Sequence, residues 1–257
     1  MKKQPLILVL ALLLAAAKLP AQQLKVLTYN IHHAEDNAGK VNTENIAKVI
    51  RDFGPDLVAL QELDSMTDRT GKVFQLQQIA RESGIPYFYF ARAMDYQGGG
   101  YGIGVLSRYP LESSATHHLP SVTGGEPRAI AEITVRLKDG TRLKFASTHL
   151  DYRKAPEERL RQIQTLLGFY RQDTLPVILA GDMNSRPDSK EIALMKTRFS
   201  DASASSGYTI PWDDPHSKID YILTDKSHTW TTGAIRVLKG NPASDHCPVF
   251  AVLQLQP

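Results

Sequence analysis

The chain has 257 residues, with 30 Lys and Arg, 27 Asp and Glu, and one cysteine. A chain of this length can bury a large core without cross-links, and a single cysteine excludes an internal disulfide. The formal charge of +3 excludes the strong basic excess that is typical of nucleic-acid-binding proteins.

The N-terminus predicts a secretory signal peptide over residues 1–21. Two lysines precede the apolar run LILVLALLLAAA, and small residues continue to Ala21. The run is shorter than the ~20 apolar residues of a membrane-spanning helix, so a membrane anchor is the weaker interpretation. We therefore expect a secreted or periplasmic protein with no transmembrane anchor. Cleavage after Ala21 also removes three of the 30 basic side chains, which leaves a nearly neutral protein with 27 acidic ones.

Residues 22–257 predict a single domain, because no Pro-rich, Ser-rich or highly charged linker interrupts them. The first strand is LKVLTYNI, and the helix after it is capped by Asn42 and ends at Gly54 and Pro55. The next strand is DLVALQE, and VFQLQQIARESG predicts a second helix that ends at Gly84.

The rest of the chain contains more strands than helices. Four strands are predicted at YFYFAR, YGIGVLSRYP, RAIAEITVRL and RLKFASTHL, the last two joined by a turn at Asp139 and Gly140. A helix with Pro156 in its first turn follows, then the apolar strand VILAG and a short helix near Lys190. Three strands close the chain at KIDYILT, GAIRVLK and CPVFAVLQL. This pattern favours two packed sheets flanked by helices over one parallel sheet.

Two features resemble functional motifs but have better explanations. The stretch QGGGYGIG lacks the Gly-Lys-Ser/Thr ending of a phosphate-binding loop and does not open a helix. We expect a mobile loop that leads into a strand. Cys247 stands beside a histidine, but we expect a buried, small apolar side chain and not a nucleophile.

Polar residues stand at the ends of the predicted apolar strands. They are Asn30, Glu62, His149, Asp182, Asn184, Asp220, Asp245 and His246. Each alone has an ordinary explanation, such as an Asx turn, a salt bridge or a histidine bonded to the backbone. Together they are harder to explain in this way, because unpaired carboxylates near a core are costly.

This set of side chains suggests phosphoryl-transfer chemistry. Glu62, with Asn30 or Asp245, offers the hard oxygen ligands that Mg²⁺ or Mn²⁺ prefers. No HExxH motif or cysteine pair indicates a common zinc site. Asp182 is suited to hold an attacking water, and Asn184 to donate to a developing oxyanion. The two histidines are suited to stabilise or protonate a leaving oxygen.

The order of the short motifs resembles that of a known family. LTYNIH, VALQE, YGIGVLSRYP, STHL, LAGDMN, KIDYI and SDHCPV follow one another as in the endonuclease/exonuclease/phosphatase superfamily, the deoxyribonuclease-I-like hydrolases. The resemblance covers nearly all of residues 22–257. It implies a four-layer α/β/β/α sandwich of two packed mixed sheets flanked by helices, with the active site at one edge of the sheets.

The resemblance also implies roles for individual residues around the metal and the water. Glu62 would be the principal metal ligand, with Asn30 and Asp245 beside it. Asp182 would orient or deprotonate the attacking water. Asn184 would hold the scissile phosphate.

Further roles concern the phosphate and its surroundings. His246 would contact the phosphate, with Asp220 fixing its ring. His149 would be the second catalytic histidine, and its acidic partner stays open, with Asp95 and Tyr101 as candidates. Arg128 would approach the phosphate. Apart from the resemblance, the aromatic rings of Tyr101, Tyr96 and Trp212 are suited to stack on or enclose a small substrate group.

The predicted function is that of a monomeric, secreted, Mg²⁺-dependent phosphoester hydrolase, with Mn²⁺ as an alternative metal. A secreted nuclease acting on DNA or RNA is the main alternative. A non-catalytic binding module is the remoter one, since such a protein should have lost one of its catalytic side chains. The near-neutral charge and the acidic stretches RAMDYQGGGY and TIPWDDPHSK favour a small molecule or lipid headgroup over duplex DNA.

Overall fold

The computed structural model describes residues 22–122 and 124–256. The predicted signal peptide therefore lies outside the described residues. Among the helices in the described part of the chain, none has the length and apolar character needed to cross a membrane.

The described residues form twelve β-strands and four α-helices. In chain order the strands are β1 Gln23–Asn30, β2 Leu57–Ser65, β3 Tyr87–Tyr96, β4 Gly99–Ser107, β5 Leu111–Leu119, β6 Arg128–Arg136, β7 Arg142–His149, β8 Val177–Asp182, β9 Phe199–Asp201, β10 Asp220–Asp225, β11 Trp230–Val237 and β12 Val249–Leu255. The helices are α1 Thr43–Phe53, α2 Gln75–Ser83, α3 Glu157–Tyr170 and α4 Lys190–Met195.

The strands form two six-stranded mixed sheets with the same central arrangement. The orders are β11-β12-β1-β2-β4-β3 and β5-β6-β7-β8-β10-β9. In the first sheet, β1 pairs parallel with β2 and antiparallel with β12. In the second, β8 pairs parallel with β7 and antiparallel with β10. In each parallel pair, the carboxyl ends of the two strands lie side by side at one edge of the sheet. Residues at the ends of β1 and β2, and at the ends of β7 and β8, are therefore neighbours.

Alternating side chains divide each sheet between two apolar layers. Val26 of β1 and Phe145 of β7 belong to a core cluster between the sheets. Leu27, the next residue of β1, packs instead with Ile46 of α1 and Ile79 of α2. Helices α3 and α4 pack on the other sheet in a third cluster. The predicted α/β/β/α sandwich is confirmed.

The helix ends follow the predicted chemistry. The Asn42 side chain accepts a hydrogen bond from the Glu44 amide at the start of α1. Gly54 ends α1 and Gly84 ends α2, both in the left-handed conformation that glycine adopts without a steric penalty. Helix α2 begins two residues later than VFQLQQIARESG predicts, because the Val73 carbonyl accepts a hydrogen bond from the Met66 amide.

Three features differ from the sequence prediction. Two strands were not predicted from the sequence. They are β5, an edge strand whose side chains are exposed or half-buried except at Leu119, and β9, which has only three residues. In place of the expected loop at QGGGYGIG, Gln97 and Gly98 form a two-residue turn between β3 and β4, with φ of 42° and 70°. Paired positive φ values suit the twist of a tight hairpin.

Candidate active site

The predicted site residues gather where the central strands end. His149, the last residue of β7, lies opposite Asp182, the last residue of β8. Asp220, the first residue of β10, is the antiparallel partner of Asp182 on the other side. Three titratable side chains therefore stand on adjacent strands, and all three are buried.

Asn30 joins the two sheets at this edge. Its Nδ2 donates to Asp182 Oδ2 at 3.1 Å and to Glu62 Oε1 at 2.9 Å. Its Oδ1 accepts from the His32 amide at 3.1 Å. The amide NH₂ group, and not the amide oxygen, therefore faces Glu62 in this structure.

Glu62 reaches this position through an irregularity in β2. The pairing of β2 with β4 shifts register between Leu60 and Leu63, and Glu62 has a φ of 58°. A non-glycine residue in this region costs of order 1–3 kcal/mol and is typical of functional sites. The bulge makes Glu62 the half-exposed residue in an otherwise buried stretch of the strand.

Asp182 is a carboxyl group with an unusual proton affinity. Burial and the nearby Asp220 raise the pKa of Asp182 to about 7. Hydrogen bonds from the Asn184 amide, at 2.8 Å, and from Asn30 lower it in part. A carboxyl group that exchanges its proton near neutral pH is suited to general acid–base work.

His246 and Asp220 form a buried pair. His246 Nδ1 lies 3.0 Å from Asp220 Oδ2, and its Nε2 lies 3.7 Å from Asp182 Oδ2. Burial lowers the pKa of His246, but Asp220, Asp182 and Asp245 raise it more, to about 10. The imidazole is therefore cationic at neutral pH, and its Nδ1 faces the carboxylate of Asp220.

His149 has a different environment, in which no carboxylate of the described residues contacts its Nδ1. Arg128 Nη1 lies 3.0 Å from its Nδ1, and Asn184 Nδ2 lies 3.0 Å from its Nε2. Burial, Arg128 and His246 hold the pKa of His149 well below its usual range, so the ring is neutral. Asp95, one residue considered as its acidic partner, instead binds Arg92 at 2.8 Å.

Arg128 and Tyr101 complete the buried part of the site. Arg128 Nη2 pairs with Glu126 Oε2 at 2.9 Å, and its side chain is 2% exposed. Tyr101 is also buried, and its pKa is raised well above the ordinary value by burial and by Glu62. Glu126 was not identified from the sequence, because a single glutamate in a loop gives no signal.

Asp245 makes no described contact with Glu62, the carboxylate predicted to share a metal ion with it. Its Oδ1 is 3.3 Å from Ser244 Oγ, and no contact with Glu62 is found among the described residues. In the same part of the chain, Asp182, Asp220 and His246 present three ligand atoms within 4.8 Å of one another. This buried group could hold a metal, whereas Glu62 stands outside it.

Two supporting residues were also missed. Ser244 Oγ donates to the Asn30 carbonyl at 2.8 Å and accepts from the His246 amide at 3.2 Å, so it ties the SDH segment to β1. Lys218 Nζ is buried and donates to the Asp220 carbonyl at 3.2 Å. Both belong to the motifs SDH and KID, but a serine and a lysine in a motif give no sequence signal for these contacts.

Comparisons with known proteins agree with this fold. The family model for the Endonuclease/Exonuclease/phosphatase family matches residues 27–246. Uncharacterized protein YbhP of Escherichia coli strain K12 is 26% identical over 251 residues, covering 90% of this chain and 96% of that protein.

Solved structures show the same sandwich. An endonuclease/exonuclease/phosphatase family protein from Bacteroides thetaiotaomicron has a TM-score of 0.78 at 17% identity, covering 93% of this chain and 100% of that one. The mannosyl-6-phosphatase Bt3783 of Bacteroides thetaiotaomicron VPI-5482 has a TM-score of 0.71 at 20% identity, covering 90% of this chain and 99% of that one. Because the family model spans most of the chain, the protein belongs to the endonuclease/exonuclease/phosphatase family, whose members are hydrolases that act on phosphoesters.

Proposed function

We propose that the protein is a Mg²⁺-dependent hydrolase of compact phosphoesters. The observation that carries the proposal is a buried cluster of nitrogen groups. His149 Nε2 and His246 Nε2 lie 3.6 and 3.7 Å from Asp182 Oδ2, and Arg128 and Asn184 contact the His149 ring. Cationic and amide donors gathered at one buried point suit the oxygens of a phosphate.

The contacts of His149 support an anion site. A neutral imidazole has one N–H and one acceptor nitrogen, yet both ring nitrogens of His149 face donors, one from Arg128 and one from Asn184. One of these contacts therefore sets donor against donor. A phosphate oxygen beside the three side chains would accept their N–H groups and relieve this conflict.

Asp182 is suited to hold and deprotonate the attacking water. Its pKa near 7 allows it to accept a proton at neutral pH, and Asn30 and the Asn184 amide fix both of its oxygens. His246, held cationic by Asp220, would stabilise negative charge on the phosphate. Removal of one such donor typically costs 10²–10³-fold in kcat.

The residues around Glu62 fit a hard cation. The Glu62 carboxylate is half-exposed and receives one described hydrogen bond, from Asn30, so it retains oxygen lone pairs for a metal. Carboxylate oxygen is the donor that Mg²⁺ prefers, whereas the group of Asp182, Asp220 and His246 includes a nitrogen and is already joined internally. When bound, the cation would polarise a phosphoryl oxygen. Asn30 and Asp245 stay proposed ligands; Asn30 would have to turn its oxygen toward Glu62.

A hydrolysis panel tests the proposal. Purified protein is assayed with and without Mg²⁺ on small phosphomonoesters, phosphodiesters, phospholipids, RNA and plasmid DNA. We expect Mg²⁺-dependent hydrolysis of compact esters. If none of the substrates is hydrolysed, the proposed function is contradicted. Preferential cleavage of RNA or plasmid DNA would favour a nuclease.

We also propose, from the sequence, that residues 22–257 form one exported, monomeric domain. Expression of the full chain in a bacterium, followed by cell fractionation, tests this. We expect the mature protein outside the cytoplasm with Gln22 at its N-terminus and the mass of a monomer in solution. An uncleaved, membrane-retained chain would contradict the proposal.

A further inference from the structure

The interior between the two sheets changes character directly beneath the proposed active site. Alternate residues of β2 face this interior, and Leu57 and Ala59 belong to its apolar core cluster. The next residue in this alternation is Gln61, which is fully buried. Strands β1 and β7 change from apolar to polar in the same way. The last buried layer, which we call the polar layer, therefore consists of Thr28, Gln61 and Ser147.

Hydrogen bonds join the members of the polar layer across the two sheets. Gln61 Nε2 donates to Ser147 Oγ at 3.0 Å, and Thr28 Oγ1 donates to Gln61 Oε1 at 3.3 Å. Ser147 Oγ in turn donates to the Leu60 carbonyl at 3.2 Å. Because a serine hydroxyl has one hydrogen, Ser147 must accept from Gln61, which fixes the orientation of the Gln61 amide. The Gln61 side chain therefore connects β2 of one sheet to β7 of the other.

Each end of this connection adjoins a residue of the proposed chemistry. Gln61 directly precedes Glu62, and Ser147 is two residues before His149 on β7. The pairing of β2 with β4 is interrupted at Gln61 and Glu62, so the regular ladder does not fix this part of β2 on that side. The hydrogen bond to Ser147 holds the bulge from the opposite sheet instead.

Apolar packing would fill the same space without fixing the position of the bulge. Contacts between apolar side chains are non-directional, and they avoid the cost of burying polar groups. A buried hydrogen bond is directional, and leaving one of its groups unpaired is costly. Buried polar groups can therefore specify one arrangement of packed elements. The bond between Gln61 and Ser147 opposes sliding of β2 against β7, which the apolar contacts below it do not.

We propose that Gln61 is a positioning residue, which fixes the Glu62 carboxylate relative to the His149 ring. It acts through Ser147 and the β2 bulge, and it contacts neither the substrate nor a cation. The consequences for turnover and Mg²⁺ binding rest on the proposed function. Asn30 links Glu62 to Asp182 within the site, and Gln61 links the same part of β2 to β7 from beneath. Two connections to different strands of the opposite sheet restrict the bulge in two directions.

Three variants separate positioning from general stability. Gln61→Met keeps a side chain of similar length and volume but removes both strong hydrogen bonds. Ser147→Ala removes the partner of Gln61. Ile133→Val is the matched control, because Ile133 lies on β6 in the same interior cluster and makes none of the hydrogen bonds of the polar layer. It loses a buried methyl group and should lower the melting temperature. Melting temperatures of all variants confirm that they fold.

Kinetics and metal binding are measured on the best compact ester of the hydrolysis panel. We expect Gln61→Met to lower kcat about tenfold or more at saturating Mg²⁺, and to weaken Mg²⁺ binding about threefold or more in calorimetric titration. Ile133→Val should change neither quantity. Ser147→Ala should also lower kcat, and the double variant should lose much less than the product of the single losses, since both remove one hydrogen bond. Losses that multiply, or an effect of Gln61→Met no larger than that of Ile133→Val, would overturn the inference.

A spectroscopic measurement tests the same connection without turnover. The Hε1 signals of the histidine rings are recorded by NMR, and the His149 signal is assigned from its loss in His149→Gln. We expect Gln61→Met to shift this signal, whereas Ile133→Val should not. The signal of His228, which follows the far end of β10, should stay in place in both variants. An unchanged His149 signal in Gln61→Met would overturn the inference. If the unaltered protein hydrolyses no ester, the proposed function is contradicted, and the spectra still decide whether Gln61 positions His149.

Discussion

Asn30 and Asp182 connect the two sheets through a hydrogen bond of 3.1 Å between Asn30 Nδ2 and Asp182 Oδ2. Asn30 ends β1 and Asp182 ends β8, the strands that each have one parallel and one antiparallel neighbour in their sheets. The same amide also donates to Glu62. One side chain therefore sets the distance between the carboxylate proposed to hold the metal and the carboxylate proposed to hold the water.

We predict that Asn30→Ala lowers kcat/KM for a small phosphoester by about tenfold to a hundredfold. Without the amide, Asp182 and Glu62 lose their common donor, and small displacements of positioned groups cost on this scale. The measurement is steady-state kinetics at saturating Mg²⁺, with Asn45→Ala, a substitution of an exposed asparagine on α1, as the control. Equal kinetics for the two variants would contradict the positioning role.

The sequence predicted the central strands well because their apolar runs are long and end on polar residues. VILAG followed by Asp182 and Asn184 is an example, since a short apolar run bounded by turn-forming residues is typical of a buried strand. The edge strand β5 was missed because His117, His118 and its serines give no alternation of apolar and polar residues. Its strand conformation is stabilised by pairing with β6 and not by the β-propensity of its own residues.

Some contacts of the site could be predicted from the sequence and others could not. His149 and Asp182 lie on neighbouring strands, so their meeting follows from strand order. The partner of His149 could not be deduced, because Arg128 reaches it from the start of β6, which requires the pairing of β6 with β7. A contact that depends on strand pairing, such as this one, requires geometry that no local sequence pattern contains.

We predict that Glu62→Gln weakens Mg²⁺ binding by about tenfold or more. The substitution keeps the shape of the side chain but removes the charge that a hard cation prefers. Calorimetric titration of Mg²⁺ into the two proteins measures the change, and Glu157→Gln at the exposed start of α3 is the control. Equal affinity in the Glu62 variant and the unaltered protein would remove Glu62 from the metal site.

We predict that Asp182→Asn and His246→Ala each lower kcat by about a hundredfold or more while the protein stays folded. Both side chains act on the same phosphate in the proposed mechanism, so the double variant should lose much less than the product of the single losses. Single-turnover kinetics and melting temperatures are measured together, with the exposed Asp188→Asn as the control. Near-normal turnover in either single variant would refute its role.

A further prediction concerns stability and the buried carboxylate of Asp225. It accepts hydrogen bonds from the Val177 amide, His228 and Trp230, at 3.0, 2.7 and 3.1 Å. Burial raises the pKa of Asp225, but the hydrogen bonds from these three donors together lower it by more. The pKa of Asp225 is therefore below its ordinary value. Stability from this carboxylate is thus complete above the unfolded pKa of about 3.9 and is lost as pH falls through the folded pKa.

Asp225→Asn should therefore reduce the free energy of unfolding by about 1–3 kcal/mol at pH 7 and by less at pH 3. Denaturant unfolding at the two pH values measures the difference. The exposed Asp214→Asn serves as the control and should change stability little at either pH. A cost that is equal or larger at pH 3 would show that the carboxylate is not stabilising through its charge.

We predict that compact phosphoesters are better substrates than duplex DNA. Non-specific duplex binding gains most of its affinity from several Lys and Arg contacts to phosphates. Near the site, however, Arg92 pairs with Asp95 at 2.8 Å, Arg128 with Glu126 at 2.9 Å, and Arg153 with Asp151 at 3.0 Å.

These pairs leave little positive charge for a polynucleotide backbone. Lys154 is exposed, but so are Asp213 and Asp214 in the TIPWDDPHSK segment. The decisive comparison is kcat/KM on supercoiled plasmid against kcat/KM on small phosphomonoesters and phosphodiesters, all at physiological salt. We expect the small esters to be the better substrates and plasmid nicking to be slow, with only a shallow decrease as salt increases, because few phosphate contacts hold the duplex. Plasmid nicking that is faster by tenfold or more would replace this prediction with the nuclease alternative.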